Sequence, residues 1–100
     1  MRLWRTWMRT IERSSSFKKD LKRERLKPNG YKTIEMLRSI IGLLQDDKPL
    51  PSKAKDHALR GSLKGFRDCH VRPDLVLLYE RPDPKTLRLV RLGSHAELFR

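Results

Sequence analysis

The sequence contains few of the residues that mark a disulfide-bonded, zinc-stabilised or membrane-spanning protein. Its one cysteine, Cys69, excludes an intramolecular disulfide and any multi-cysteine zinc module, and it fits a reducing cytosol. Residues 1–7 include two arginines within the first five positions, so they lack the apolar segment of about 7–15 residues that a signal peptide needs. No apolar run is long enough to cross a membrane. We therefore expect a cytoplasmic protein that does not bind membranes.

Acidic residues are scarce relative to basic ones. The 100 residues include 24 Lys and Arg against 12 Asp and Glu, which gives a formal net charge of +12. Such an excess indicates a polyanionic partner such as nucleic acid. Because 37% of the residues are hydrophobic and these cluster, the chain can bury a modest core instead of remaining a disordered basic tail. A chain of this length forms one domain, with no room for a separate cofactor-binding domain.

The domain boundary follows from the first strand pattern. Residues 9–13 carry a β-branched pair between charges, which predicts a short edge strand. No strand pattern precedes it, so Met8 is an alternative start of the protein. In that interpretation residues 1–7 are an extension from upstream. The predicted domain division is an N-terminal extension over residues 1–8 and a single domain over residues 9–100.

Two helices are predicted after this strand. The serines at 14–16 offer N-caps for the first, in which Phe17 and Leu21 lie one turn apart and Leu26 closes the apolar stripe. Its remaining surface is strongly basic, and residues 28–30, Pro-Asn-Gly, are a stop signal. Apolar residues at intervals of three and four predict a second helix over 31–45. Its stripe consists of Tyr31, Ile34, Leu37, Ile41 and Leu44, and Met36, Ile40 and Leu43 widen it.

The hydrophobic period changes to two in the second half of the chain. Strands are predicted over 58–60, 65–71, 75–80 and 86–92, followed by a turn that ends the chain. Because the connections are short, neighbouring strands should be antiparallel. The expected fold is α+β, with two N-terminal helices packed on one face of a twisted, mainly antiparallel sheet of four to five strands.

The histidines occur where predicted strands end. These are His57, His70 and His95, and the carboxylates near them are Asp56, Asp68 and Asp74. Strand ends of a small curved sheet converge, so these groups could share a cleft.

Metal-free RNA cleavage needs a base that removes the proton of the 2′-hydroxyl, an acid that protonates the 5′-oxygen, and cations that stabilise the phosphate. Histidine suits both proton roles, and the cations beside the histidines are Lys53, Lys55, Lys64, Arg67 and Arg72.

Less specific interpretations apply to each of these residues. A lone histidine is more often a surface or core residue than a catalyst, and no histidine pair has the spacing of a zinc site. Phe99 is by default a core aromatic, although it could stack on a base. Cys69 alternates with His70, and we expect Cys69 to be the buried member of the pair. Residue chemistry alone therefore indicates a small basic nucleic-acid binder, or a metal-free nuclease.

Two segments resemble a known family. The KDHALRGSLKGFRDCHVRPD sequence at 55–74 is similar to the core of YafQ toxins, within the RelE/ParE superfamily of bacterial toxin–antitoxin systems. The GSHAELF sequence at 93–99 resembles the C-terminus of the same family. The resemblance extends from Arg9 to Arg100 and leaves Met1 to Trp7 outside it.

The resemblance implies a ribosome-dependent mRNA endonuclease with a microbial-ribonuclease-like α+β fold, which uses no metal or other cofactor. The active-site positions that carry over are His57, His70, Asp74 and His95, with Phe99 as the terminal aromatic. We expect His57 and His95 to form the base and acid pair, in either order. His70 and Asp74 would position the phosphate and an imidazole. Substrate binding is assigned to Phe99, Lys55, Lys64, Arg67 and Arg72. Leu75 and Glu97 depart from the family pattern, and Glu97 could act on His95 or weaken RNA contact.

The resemblance also implies partners. A cognate antitoxin should cover the basic surface, including the first helix, with an acidic segment, and the ribosome and mRNA are the targets. Operator DNA would be bound only through the antitoxin. Residues 1–30 carry ten basic and three acidic residues, a local charge of +7. We expect the surface that they form to bind ribosomal RNA. The alternatives are a non-catalytic or ParE-like toxin that binds DNA gyrase, a nucleic-acid-binding module, and a structural ribosomal protein.

Overall fold

A computed structural model of the chain describes residues 8–99, so the N-terminal extension predicted for 1–8 lies outside the described residues except for Met8. The strands are β1 (Thr10–Arg13), β2 (His57–Ala58), β3 (Arg67–Arg72), β4 (Leu75–Glu80) and β5 (Thr86–Gly93). The helices are α1 (Ser15–Arg25), α2 (Gly30–Gln45) and α3 (His95–Leu98). Two single 3₁₀ turns, Ser52–Ala54 and Gly61–Leu63, flank β2. No helix within the described range is long and apolar enough to cross a membrane.

The five strands form one mixed sheet in the order β1-β5-β4-β3-β2. The pairs from β2 to β5 are antiparallel, as the short connections predicted. β1 lies at one edge and pairs with β5 in parallel, with Thr10 opposite Thr86. A parallel pair needs a long crossover, which the α1–α2 hairpin and the following strands provide. The predicted α+β architecture is therefore confirmed, with a parallel edge strand added to the antiparallel sheet.

The hydrophobic core lies between the helices and the sheet. The helices contribute Phe17, Leu37, Ile40 and Leu44, and the strands contribute Cys69, Val71, Leu75, Leu77, Tyr79, Leu87, Leu89 and Leu92. Burial of each leucine side chain stabilises the fold by roughly 1.5–3 kcal/mol relative to exposure. Cys69 is fully buried, as predicted, and burial raises the pKa of its thiol to about 12.

The helix starts agree with their sequence signals, but three residues predicted for the apolar faces of the helices are exposed. Ser14 caps α1 by accepting a hydrogen bond from the Phe17 amide. Leu26 is 74% exposed because it is the C-cap of α1 and lies beyond the last turn that faces the core. Tyr31 is 66% exposed and Met36 is 41% exposed. The buried residues of α2 include Thr33, Leu37, Ile40 and Leu44, so Tyr31 and Met36 fall outside this stripe.

The region around β2 is less extended than predicted. Instead of a strand over 58–60, only His57–Ala58 pairs with β3, and a 3₁₀ turn follows at Gly61–Leu63. β3 then begins at Arg67 instead of residue 65. Gly61 and Gly65 have φ values of +65° and +99°, which interrupt extended backbone at both positions.

Candidate active site

The pleat of β3 separates its side chains between the two faces of the sheet. Cys69 points into the core, so Asp68 and His70, on either side of it, lie on the opposite face. His57 is directly paired with Asp68 across β2 and β3, and directly paired residues share a face. Strand register therefore brings two of the predicted histidines and one carboxylate to the face away from the helices.

The same face continues across the sheet to the end of β5. His70 is paired with Val76, and Val76 is paired with Gly93. Two strand spacings, about 10 Å, separate the backbones of His70 and Gly93. His95 follows two residues later as the first residue of α3. The third histidine thus stands at the same end of the sheet as His70.

Backbone carbonyls fix the rings of His57 and His70. The His57 Nδ1 lies 2.7 Å from the Lys55 carbonyl, and Lys55 adopts a left-handed conformation with φ 49°. The His70 Nδ1 lies 3.2 Å from the Pro73 carbonyl in the turn between β3 and β4. Since a carbonyl only accepts hydrogen bonds, each Nδ1 is the donor. In the neutral ring the lone pair is then on Nε2, which is the nitrogen available to a substrate.

Asp68 lies at the centre of the histidine set. It is 1% exposed, and its Oδ1 approaches the His57 Nδ1 to 3.1 Å. Burial raises the pKa of the Asp68 carboxyl, while the imidazoles of His57, His70 and His95 act in the opposite direction. The carboxylate is thus within electrostatic range of all three histidines. In the sequence Asp68 is one of the carboxylates near them, and its spacing of two residues from His70 within one predicted strand was the signal for a shared face.

The loop before His57 is anchored to the sheet by Asp56. Its Oδ1 accepts a 2.5 Å hydrogen bond from the buried Tyr79 hydroxyl, and Arg67 donates to the same oxygen at 3.3 Å. Burial raises the pKa of the Tyr79 hydroxyl, and the Asp56 carboxylate raises it further. The Arg67 guanidinium is therefore engaged in this anchor, where it also contacts Tyr79 at 3.3 Å. Sequence reasoning missed the anchor and considered Arg67 only as a phosphate ligand.

His95 and Phe99 contact each other within the C-terminal turn. Their ring centroids are 4.6 Å apart with an interplanar angle of 46°. Ser94 and Glu97 form a capping box around α3, in which the Glu97 side chain accepts from the Ser94 amide at 2.8 Å. These bonds from Ser94 hold the pKa of Glu97 below its usual value. Glu97 therefore caps the helix that carries His95.

Helix α1 holds the end of β5 in place ahead of His95. The buried Asp20 accepts hydrogen bonds from Arg91 at 2.7 Å, Arg23 at 2.9 Å and the Leu92 amide at 2.9 Å. Arg23 also donates to the Leu92 carbonyl at 2.8 Å. Burial disfavours ionisation of Asp20, but the bonds from Arg91, Leu92 and Arg23 outweigh it and hold its pKa below the usual value. The backbone two residues before Ser94 is thus fixed from the opposite layer.

Three of the predicted basic residues line a groove together with His70. A groove of about 650 Å³ opens beside His70, between α2 and the loop at 51–55, and its lining includes Lys53, Lys55 and Arg72. Arg72 donates to the Thr33 hydroxyl at 2.9 Å from within this groove. Asp74 is exposed in the turn after Pro73, and Lys64 is exposed after the 3₁₀ turn. Within residues 8–99, no cluster of three or more His, Cys, Asp or Glu could hold a metal ion.

Comparison with known proteins decides the family. Residues 9–100 match the family described as bacterial toxin of type II toxin-antitoxin system, YafQ. The chain belongs to this family. The mRNA interferase toxin YafQ of Escherichia coli K12 is 45% identical over 92 residues, which cover 91% of this chain and 96% of that protein.

Solved YafQ structures have the same fold. The crystal structure of YafQ from E. coli BL21(DE3) matches with a TM-score of 0.77 at 41% identity, covering 92% of this chain and 99% of that one. YafQ in the E. coli DinJ–YafQ toxin–antitoxin complex matches with a TM-score of 0.76 at 42% identity, covering 92% of this chain and 98% of that one. The resemblance read from residues 55–74 and 93–99 is thereby confirmed.

Proposed function

We propose that this YafQ-family protein is the toxin of a type II toxin–antitoxin system and cleaves mRNA by histidine acid–base catalysis without a metal. The observation that carries the proposal is the placement of His57, His70 and His95 around one end of the sheet face opposite the helices. The E. coli relative at 45% identity is an mRNA interferase. The net charge of +12 suits an RNA substrate.

In the proposed reaction, a histidine removes the proton from a ribose 2′-hydroxyl, and the 2′-oxygen attacks the adjacent phosphorus. The bond from phosphorus to the 5′-oxygen breaks, and a second histidine protonates that leaving oxygen. The products are a 2′,3′-cyclic phosphate and a 5′-hydroxyl. We assign the base to His57, because its Nδ1 donates to the Lys55 carbonyl and leaves the Nε2 lone pair available. His95 is then the acid.

The remaining predicted residues position the substrate in this proposal. His70, whose Nδ1 donates to the Pro73 carbonyl, and Asp74 in the same turn would orient the scissile phosphate and an imidazole. Lys55 and Arg72 would neutralise phosphate charge from the lining of the groove, and Lys64 would do so from its exposed position after the 3₁₀ turn. Arg67 would contribute to the site indirectly, because it pairs with Asp56 and so holds the loop that precedes His57.

Phe99 is proposed to stack on a nucleobase. Its ring is partly exposed and packs against the His95 imidazole with centroids 4.6 Å apart. A base stacked on Phe99 would therefore lie beside the proposed acid, and stacking on an aromatic side chain contributes about 1–3 kcal/mol per base.

The proposed partners follow from charge and from the relatives. YafQ of E. coli forms a complex with the antitoxin DinJ, and we propose a cognate antitoxin that masks the basic surface of this chain, including α1. The same surface would bind ribosomal RNA once the antitoxin is removed, so that cleavage is ribosome-dependent. Operator DNA would be reached only through the antitoxin, and the site of action is the cytoplasm.

The test is primer extension on cellular mRNA after induction of the wild type and of His95→Ala. The wild type should produce cuts within translated codons, whereas His95→Ala should leave mRNA intact and growth unaffected while its circular dichroism stays native. Lys85→Ala is the control, because Lys85 is exposed at the opposite end of β5 and its removal should change nothing. Growth arrest with intact mRNA and blocked replication in the wild type would indicate a gyrase toxin. Full mRNA cleavage by His95→Ala would overturn the catalytic assignment.

A further inference from the structure

Asp68 differs from the other carboxylates buried in the fold. Asp20 accepts from two arginines, and Glu24 accepts from Arg23 at 3.1 Å and Lys27 at 2.8 Å. Asp68 is equally buried, yet its Oδ1 has no hydrogen-bond partner within the described chain. Leaving a buried carboxylate oxygen without a partner costs free energy, so packing alone does not account for a carboxylate at this position.

The groups that act on the Asp68 carboxylate come from four elements of the site. They are Asp56 in the loop before β2, His57 on β2, His70 on β3 and His95 on α3. The nearest measured approach is the 3.1 Å from Asp68 Oδ1 to His57 Nδ1. This approach is a close contact without a hydrogen bond, because the proton on that nitrogen points to the Lys55 carbonyl at 2.7 Å.

We propose that Asp68 is a positioning residue that acts through His57, by stabilising the charged imidazolium that forms when His57 accepts the proton of the 2′-hydroxyl. The proposal rests on the proposed function, in which His57 is the base. As the proton moves from the ribose oxygen to Nε2, the ring becomes cationic, and a fixed carboxylate 3.1 Å from Nδ1 interacts with the product of this transfer more strongly than with the neutral ring. Asp68 itself keeps no proton from the substrate.

The pairing of β2 with β3 accounts for the burial of the Asp68 carboxylate on the inner side of the His57 ring. The β2–β3 register places Asp68 directly opposite His57, and the His57 side chain is 53% exposed while that of Asp68 is 2% exposed. The exposed side of the imidazole can meet RNA, and the carboxylate meets only its inner edge.

The variant that tests the proposal is Asp68→Asn, which keeps the side-chain shape and removes the charge. We expect kcat for cleavage of mRNA on programmed ribosomes to fall about 10- to 100-fold, equivalent to about 1.4–2.7 kcal/mol, with KM little changed. The acid limb of the pH–rate profile should move to lower pH, because the base no longer has a carboxylate beside it. The control is Glu35→Gln, which removes one negative charge from the exposed face of α2 and should match the wild type.

Protein stability separates this role from a structural one. Because burial raises the pKa of Asp68, the folded state favours its protonated form, and this contribution to stability is lost as pH rises through the folded pKa. At neutral pH the neutral asparagine should therefore leave the melting temperature equal to or above that of the wild type. A large drop in melting temperature together with an unchanged pH profile would overturn the proposal in favour of a structural role.

A double-mutant cycle with His57→Ala locates the effect. If Asp68 acts through His57, Asp68→Asn should have no further effect on kcat in the His57→Ala background. An equal loss in both backgrounds, or wild-type kcat for Asp68→Asn, would overturn the proposal while leaving the catalytic role of His57 intact. Wild-type cleavage by His57→Ala would overturn both this proposal and the assignment of the base.

Discussion

Replacing Asp20 by asparagine should be among the most destabilising single changes at a polar residue of this fold. The buried carboxylate accepts from Arg91 at 2.7 Å, Arg23 at 2.9 Å and the Leu92 amide at 2.9 Å. Removing one member of a buried ion pair costs about 3–5 kcal/mol. The side chains of Arg23 and Arg91 are 37% and 35% exposed, so water can reach them and we expect about 3 kcal/mol, the lower end of the range. For a domain of this length, that corresponds to a fall in melting temperature of about 12–24 °C.

The stabilisation that Asp20 provides should depend on pH. The folded pKa of Asp20 lies below its unfolded value of 3.8, so its stabilisation is fully present above that pH and is lost as pH falls through the folded pKa. Urea unfolding followed by far-UV circular dichroism should show the full difference between wild type and Asp20→Asn at pH 7. The difference should shrink at increasingly acidic pH. Glu35→Gln carries the same change in net charge on an exposed helix face. If Asp20→Asn unfolds within about 1 kcal/mol of this control at pH 7, the reasoning is refuted.

Two further changes test the packing. Gly30→Ala should destabilise the fold by about 1–3 kcal/mol in chemical unfolding, because a Cβ would overlap the Arg25 carbonyl. Gly42→Ala, with open space around it in the last turn of α2, should stabilise the fold by about 0.5–1 kcal/mol. Equal effects at the two positions would contradict this reasoning. Cys69, whose pKa burial raises to about 12, should resist iodoacetamide at pH 8 until the protein unfolds, and mass spectrometry showing alkylation of the native protein at the rate of a free thiol would refute that expectation.

The parts of the fold that could be predicted are those that depend on local patterns. Ser14 was an expected N-cap, and the strands β4 and β5 were predicted within one residue of their observed ends. The parallel pairing of β1 with β5 depends on contacts across more than 70 residues, and no local pattern encodes it. The exposure of Leu26 and Tyr31 likewise depends on what lies opposite each helix, which helical periodicity does not specify.

The site was predictable in its residue types but not in how those residues act on one another. Histidines at strand ends, together with the family resemblance, predict His57, His70 and His95 as site residues, and their roles stay a prediction. Composition could not distinguish a phosphate-binding arginine from an anchoring one, because the role of Arg67 depends on Asp56, eleven residues earlier in the chain. Asp68 was one of three nearby carboxylates, and only the β2–β3 register shows that it alone lies beneath an imidazole.

The hydrogen bonds between α1 and β5 have a consequence for when the region around His95 can become ordered during synthesis of the protein. Asp20 contacts residues 71 and 72 positions later in the chain, and β1 pairs with the strand that begins at Thr86. The backbone leading to His95 therefore cannot be fixed until nearly the whole chain has left the ribosome. Contacts this distant in sequence also form late because their loop-closure entropy is large. A nascent chain of this protein should consequently lack an ordered His95 region until the segment that forms β5, Thr86–Gly93, has left the ribosome.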